Sequence, residues 1–267
     1  MAEQYMKGRS FITSIKMNYF HCFLKQLTGY NIHPSIELSN QKLRIADMGT
    51  QTAIWPIEVA EAFGPRAEVV AFDTSDRFTP PSPWLPPNLS IRIHDITLPF
   101  SEDLLGQFDV INFRLFLTLP PEKLNVMLAN AMALLKPGGY IQWTEHDKTD
   151  LEPLSTNSSR SFEAVNALIA LEKNPFPNYN AFWVNDIARE FTKTGLDVIT
   201  EDRVKTRKSM LMQMNELHLL SMMDIQEGLS KAVDEFKEEH LDTLTEDFAH
   251  GVTSVDGFIT IVGKKPL

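Results

Sequence analysis

The stretch Leu43-Arg-Ile-Ala-Asp-Met-Gly-Thr-Gln-Thr-Ala-Ile-Trp55 constrains the fold of this chain more than any other. Leu43 to Ala46 reads as a short apolar strand interrupted only by Arg44, and Asp47 leads it into a turn of small residues. A helix follows, with apolar Ile57, Ala60 and Phe63 at burial spacing and Pro56 tolerated in its first turn. Strand, small-residue turn and helix N-terminus form the geometry that seats a nucleotide-like ligand at the carboxyl edge of a parallel sheet. Gly49 is in place, whereas Gln51 and Ala53 stand where two more glycines would complete G-x-G-x-G.

The rest of the chain extends that unit. Residues 67–73 read as a second buried strand ending in Asp73, at the distance from Gly49 where a carboxylate accepts ribose hydroxyls. Residues 89–95 alternate and end in Asp95, 108–116 supply a fourth strand, and 140–147 a fifth. Between the last two, Pro121–Leu135 has helical spacing and Lys136-Pro-Gly-Gly139 stops it. This alternation predicts a mostly parallel sheet with helices on both faces. Beyond residue 150 the spacing predicts helices over 158–173, 180–193, 209–228 and 229–250, a loop at 174–179, and strands over 196–206 and 256–263. Ahead of the sheet, Ile12, Ile15, Tyr19, Cys22, Phe23 and Leu27 fall on one helical stripe. The chain is expected to be a single domain over 1–267. It divides into a helical lid (1–41), a cofactor-binding core (42–150), inserted helices with strand six over a substrate pocket (151–250), and a last strand (251–267).

A net charge of −10 gives a nucleic-acid partner little electrostatic support. The single cysteine, Cys22, rules out an internal disulfide and fits a reducing, cytoplasmic compartment. No signal-peptide pattern and no apolar run of membrane-spanning length is present. The histidines show no metal-ligand spacing, so no metal is expected. The partner expected is a small molecule, with the chain a monomer or homodimer.

These pieces, in this order, resemble class I S-adenosylmethionine (SAM)-dependent methyltransferases. More narrowly, they resemble the fungal secondary-metabolite methyltransferases of gliotoxin-type pathways. The resemblance rests on His33-Pro34, Ile45–Gly49 with Ile54-Trp55, Phe72-Asp73, Trp84–Asn88, Asp95, Phe108–Arg114, Leu135–Glu145 and Asn174–Pro177, and it runs from about residue 7 to the end. It implies a Rossmann-like α/β fold whose mostly parallel seven-stranded sheet has an antiparallel C-terminal strand. It also implies SAM as cofactor. Gly49 would admit the methionine end, Asp47 would hold its amino group, Asp73 the ribose, and Asp95 with Ile96 the adenine. Asn112 and Arg114 would line the substrate side. Gln51, where the family has its middle glycine, either crowds the methionine moiety or hydrogen-bonds its carboxylate.

Methyl transfer from a sulfonium needs proximity and alignment, and a base only where the nucleophile must lose a proton. Glu145 and His146 at the end of strand five are the candidate bases, and strand alternation sends them to opposite faces. Tyr19 and His21 on the first helix, Trp183, and Met222 in the methionine-rich 209–228 stretch are candidate substrate contacts; each reads equally as packing. The function expected is methylation of O or N on a small secondary metabolite. A second reading keeps the fold for a non-methylating cyclisation, dehydration or pericyclic step. A third makes the chain a binding partner without catalysis.

Overall fold

The computed structural model describes residues 11–38, 42–116, 121–173, 181–228 and 238–267. The loop expected at 174–179, the Asn174–Pro177 motif and the start of the 229–250 helix lie outside the described residues. The chain forms two compact units. One comprises 29–146, 182–203 and 259–267; the other comprises 1–28, 147–181 and 204–258.

The first unit carries the sheet. Its strands are β1 (Leu43–Met48), β2 (Ala67–Asp73), β3 (Leu89–Ile93), β4 (Phe108–Arg114), the first part of β5 (Leu135–Ser155), most of β6 (Asp197–Lys205) and the end of β7 (Val252–Lys264). Their order is β3-β2-β1-β4-β5-β7-β6. β1 pairs in parallel with β2 and β4, β2 with β3, and β4 with β5. The C-terminal strands run antiparallel: Lys265 N–H donates to Gly139 O at 2.8 Å, while Thr144 and Thr260 meet by their hydroxyls at 3.0 Å. The expected sheet is therefore present, with its antiparallel C-terminal end.

Parallel strands buried on both faces need continuous apolar runs. β1, β2 and β4 supply them: Ile45, Val69, Ala71 and Val110 are completely buried in one core with Trp55, Val59 and Ala60 of α2 (Ile54–Phe63). That helix buries Trp55, Pro56, Val59 and Ala60, and the expected Ile57 and Phe63 pack half-buried against the same core. Helix α3 (Leu124–Leu134) buries Leu124, Met127, Leu128, Ala131 and Leu134, as its spacing predicts. β6 is polar and largely exposed at the sheet edge, where charged side chains discourage pairing with another strand.

The second unit holds α1 (Phe11–Thr28), α4 (Glu163–Lys173), α6 (Leu211–Gly228) and α7 (Glu238–Ala249), with the far parts of β5 and β7. Leu151, Val165, Leu168, Met222, Leu244, Phe248 and Val252 form its core. Three expectations are corrected. α1 buries Thr13, Phe20, His21, Phe23, Leu24 and Leu27 and exposes Ile15 and Cys22. The face is rotated because Thr13 and Lys16 reach Asp224 of α6, so the polar anchors decide the orientation. α4 starts at Glu163 rather than 158, since Asn157 Oδ1 accepts from Ser159 N–H and holds a turn there. Residues 181–186 form a 3-10 turn ahead of α5 (Ile187–Thr194), which belongs to the sheet unit.

Candidate active site

The glycine turn keeps a glycine backbone at all three motif positions. Gly49, Gln51 and Ala53 have φ of 71°, 48° and 59°. Left-handed backbone costs a residue with a β-carbon about 1–2 kcal/mol, so Gln51 and Ala53 hold a strained form of the expected turn. Its first amides are tied down: Gly49 and Thr50 N–H both donate to Phe72 O, at 2.8 and 3.0 Å. The Gln51 side chain is buried, and its Nε2 has no hydrogen-bond partner.

Asp73, at the end of β2, closes this turn. One carboxylate oxygen accepts Gln51 N–H at 2.8 Å and the other accepts Ser75 N–H at 3.1 Å. Thr74 Oγ–H also donates to Asp73 Oδ1, at 3.4 Å. The turn thus brings Gly49, Gln51 and Asp73 together, as expected of a nucleoside cleft. Asp95 spends Oδ1 on Thr97 N–H and Oγ–H at 2.9 and 2.7 Å; burial would raise its pKa, but these bonds win and lower it. Ile96 beside it is buried.

Asp47 is the most perturbed group here. Burial pushes its pKa up to about 6, against the opposing hydrogen bond from Asn112 and the nearby Arg114 charge. Strand register explains the contact: Asp47 lies opposite Asn112, and Asn112 opposite Gln142. Asn112 Nδ2 donates to Asp47 Oδ1 at 2.7 Å, and Gln142 Nε2 donates to Asn112 Oδ1 at 2.7 Å. Gln142 is a site residue that sequence reading missed.

So is Phe116. Leu115 leaves β4 with φ 58°, turning Phe116 so that its Cζ lies 2.7 Å from where a Gly49 β-carbon would stand. The ring therefore covers Gly49, and it is a movable side chain rather than backbone. Glu145 fixes this exit: its Oε1 accepts both Phe116 N–H and Trp143 Nε1–H at 2.7 Å. Phe113 and Trp143 stack at 4.4 Å, with Trp183 edge-on to Trp143 at 6.0 Å. Glu145, His146 and Trp183 are all buried.

Tyr19, His21 and Met222 belong to the other unit. Tyr19 donates to Glu216, and burial together with that carboxylate raises its pKa to about 12. His21 is fully buried, and Met222 packs in the helical core. Among the described residues no cluster of metal-ligating side chains occurs, and no helix is long and apolar enough to cross a membrane.

A sheet of this order, with a glycine-type turn after β1 and acids ending β1 and β2, defines the class I methyltransferase fold. In sequence the chain is similar to the N-methyltransferase tcpN of Claviceps purpurea (strain 20.1). The two are 26% identical over 241 residues, 86% of this chain and 84% of that protein. In structure it is similar to the [4+2]-cyclase SpnF, with a TM-score of 0.57 and 17% identity over 91% of this chain and 82% of that one. It is also similar to a Bacillus halodurans C-125 protein assigned as a methyltransferase, with a TM-score of 0.54 and 16% identity over 87% and 96%. No family model matches the chain.

Proposed function

We propose that the chain is a SAM-dependent methyltransferase that methylates nitrogen on a small secondary metabolite. The carrying observation is the backbone of residues 49–53, which keeps the left-handed conformation of a glycine turn at Gln51 and Ala53 despite the strain. The similarity to a named N-methyltransferase favours nitrogen over oxygen. Strain held at a turn that also presents an unpartnered buried amide, Gln51 Nε2, fits a site built for a polar ligand.

SAM, when bound, supplies an electrophilic methyl on a sulfonium. The chain's part is to bind and orient. Asp73 would take the ribose hydroxyls, and Asp47 would take the amino group. Asp95 and Ile96 would hold the adenine. Phe116 would swing off Gly49 to admit the methionine end, a rotamer change rather than a backbone rearrangement. Asn112 and Arg114 would line the substrate side. Glu145 Oε1 holds Phe116 and Trp143, and His146 would take up a proton from the nucleophile. On that reading His146→Gln lowers kcat by roughly 10²–10⁴-fold with little change in KM.

Calorimetric titration with SAM and with S-adenosylhomocysteine tests the reading. Micromolar binding of both is expected, followed by methyl transfer to N–H acceptors. Gln51→Gly should weaken binding if the amide is a ligand contact. A gain in affinity would make Gln51 an obstruction. One observation favours a second reading, a non-methylating reaction on the same fold: the Phe116 ring stands over Gly49. Failure of either ligand to bind would transfer the assignment to that reading.

A further inference from the structure

The chain of amides that ends on Asp47 has a fixed direction, and the backbone sets it. His33 N–H can only donate, and it donates to Gln142 Oε1 at 2.9 Å. Asn31 O can only accept, and it accepts from Gln142 Nε2 at 2.8 Å. Together they fix which end of the Gln142 amide is oxygen. Its Nε2 must then donate to Asn112 as well, which makes the facing Asn112 atom Oδ1 and turns Nδ2 toward Asp47. Asn112 and Gln142 are essentially sealed from solvent, at 0% and 2% exposed, so water cannot scramble the order.

We propose that Gln142 is a positioning residue. By orienting Asn112 it delivers a hydrogen-bond donor to Asp47 and so keeps that carboxylate charged for a ligand's ammonium group. The inference rests on the SAM reading but reaches residues which that reading does not require. A carboxylate in this position is under pressure to take a proton, because burial disfavours its charge. Asp73, at the end of β2, adds to that pressure, whereas Arg114, at the end of β4, opposes it. The Asn112 donor is the largest contribution opposing burial. If Asn112 rotated, its oxygen would face the carboxylate and reverse the sign.

The test compares two ligands that differ in the ammonium group. S-adenosylhomocysteine carries the amino-acid end; 5′-methylthioadenosine shares the nucleoside and thioether and lacks it. In the unaltered protein, the affinity ratio between them should rise as pH climbs from 5 to 7.5, with a midpoint near 6. Gln142→Met keeps the length but removes the donor and acceptor. It should move that midpoint up by about one unit, lowering the ratio at pH 6.5 several-fold, with 5′-methylthioadenosine affinity unchanged. A purely structural Gln142 would weaken both ligands together and leave the midpoint in place, and that result overturns the proposal. Should Gln142→Met fail to fold, a ratio flat across pH 5 to 7.5 in the unaltered protein overturns it equally. Binding of neither ligand is a different failure, that of the SAM reading itself.

Discussion

Ala53 sits at φ 59° with its methyl fully buried, so replacing it by glycine trades three terms of similar size. Relief of the left-handed backbone gains about 1–2 kcal/mol. Against it stand about 0.5–1 kcal/mol for the freer unfolded glycine and about 0.8 kcal/mol for the lost methyl. Ala53→Gly should therefore leave stability within about 1 kcal/mol, read from the urea midpoint. A much larger change would mean that the methyl packs in some way the strain argument omits. Asp73 is a different case, because it serves its own turn as well as any ligand. Asp73→Asn keeps an acceptor for Gln51 N–H and drops the charge. SAM affinity should fall by roughly tenfold or more, since hydrogen bonds to charged groups contribute about 1.5–3 kcal/mol. An unchanged dissociation constant would remove the ribose role and leave Asp73 as a cap.

The elements of the helical unit meet on a buried charge cluster. His218 of α6 lies between Asp256 of β7, 3.2 Å from Nε2, and Glu172 of α4, 3.6 Å from Nδ1. Lys148 of β5 pairs the same Glu172 at 2.8 Å, and Ser254 Oγ donates to Asp256 at 2.7 Å. Burial alone would lower the His218 pKa; the two carboxylates outweigh it and lift it from 6.5 to about 10. A raised folded-state pKa means the contribution is complete below 6.5 and is lost as pH climbs through about 10. Urea unfolding between pH 7 and 10.5 should show that fall. His218→Met, which removes the cation beside buried Asp256 while Lys148 still pairs Glu172, should cost about 3–5 kcal/mol at pH 7 and flatten the dependence. A variant as stable as the parent would show the cluster to be dispensable.

How far these elements could be read from sequence follows from their physics. β1, β2 and β4 are short apolar runs, so the strands are visible in local pattern, as is the ribose role suggested for Asp73 by its distance from Gly49. The role suggested for Asp47 comes from the resemblance alone. The Asp47–Asn112–Gln142 row is not visible, because only strand register sets those residues side by side. Phe116 escaped notice because its approach to Gly49 depends on a left-handed Leu115, which no propensity predicts. The inward face of α1 was misjudged because apolar spacing ignores Asp224, 208 positions beyond Lys16, which sets the helix's rotation.

For the whole molecule, the two compact units allow a ligand's location to be read from stability. The glycine turn, Asp47, Asp73, Asn112 and Gln142 all lie in the sheet unit; Tyr19, His21 and Met222 lie in the helical one. A ligand that binds only the folded state stabilises it by about 2.7 kcal/mol at one hundred times its dissociation constant. In a unit of this size that moves a melting midpoint by about 5–10 °C. S-adenosylhomocysteine should therefore raise the melting of the sheet unit, followed through Trp55, Trp84, Trp143 and Trp183, all four of the chain's tryptophans and all in that unit. The helical unit is followed by hydrogen exchange of α4 and α6. A rise in the helical unit with an unmoved tryptophan signal would put the ligand among the helices and withdraw it from the glycine turn.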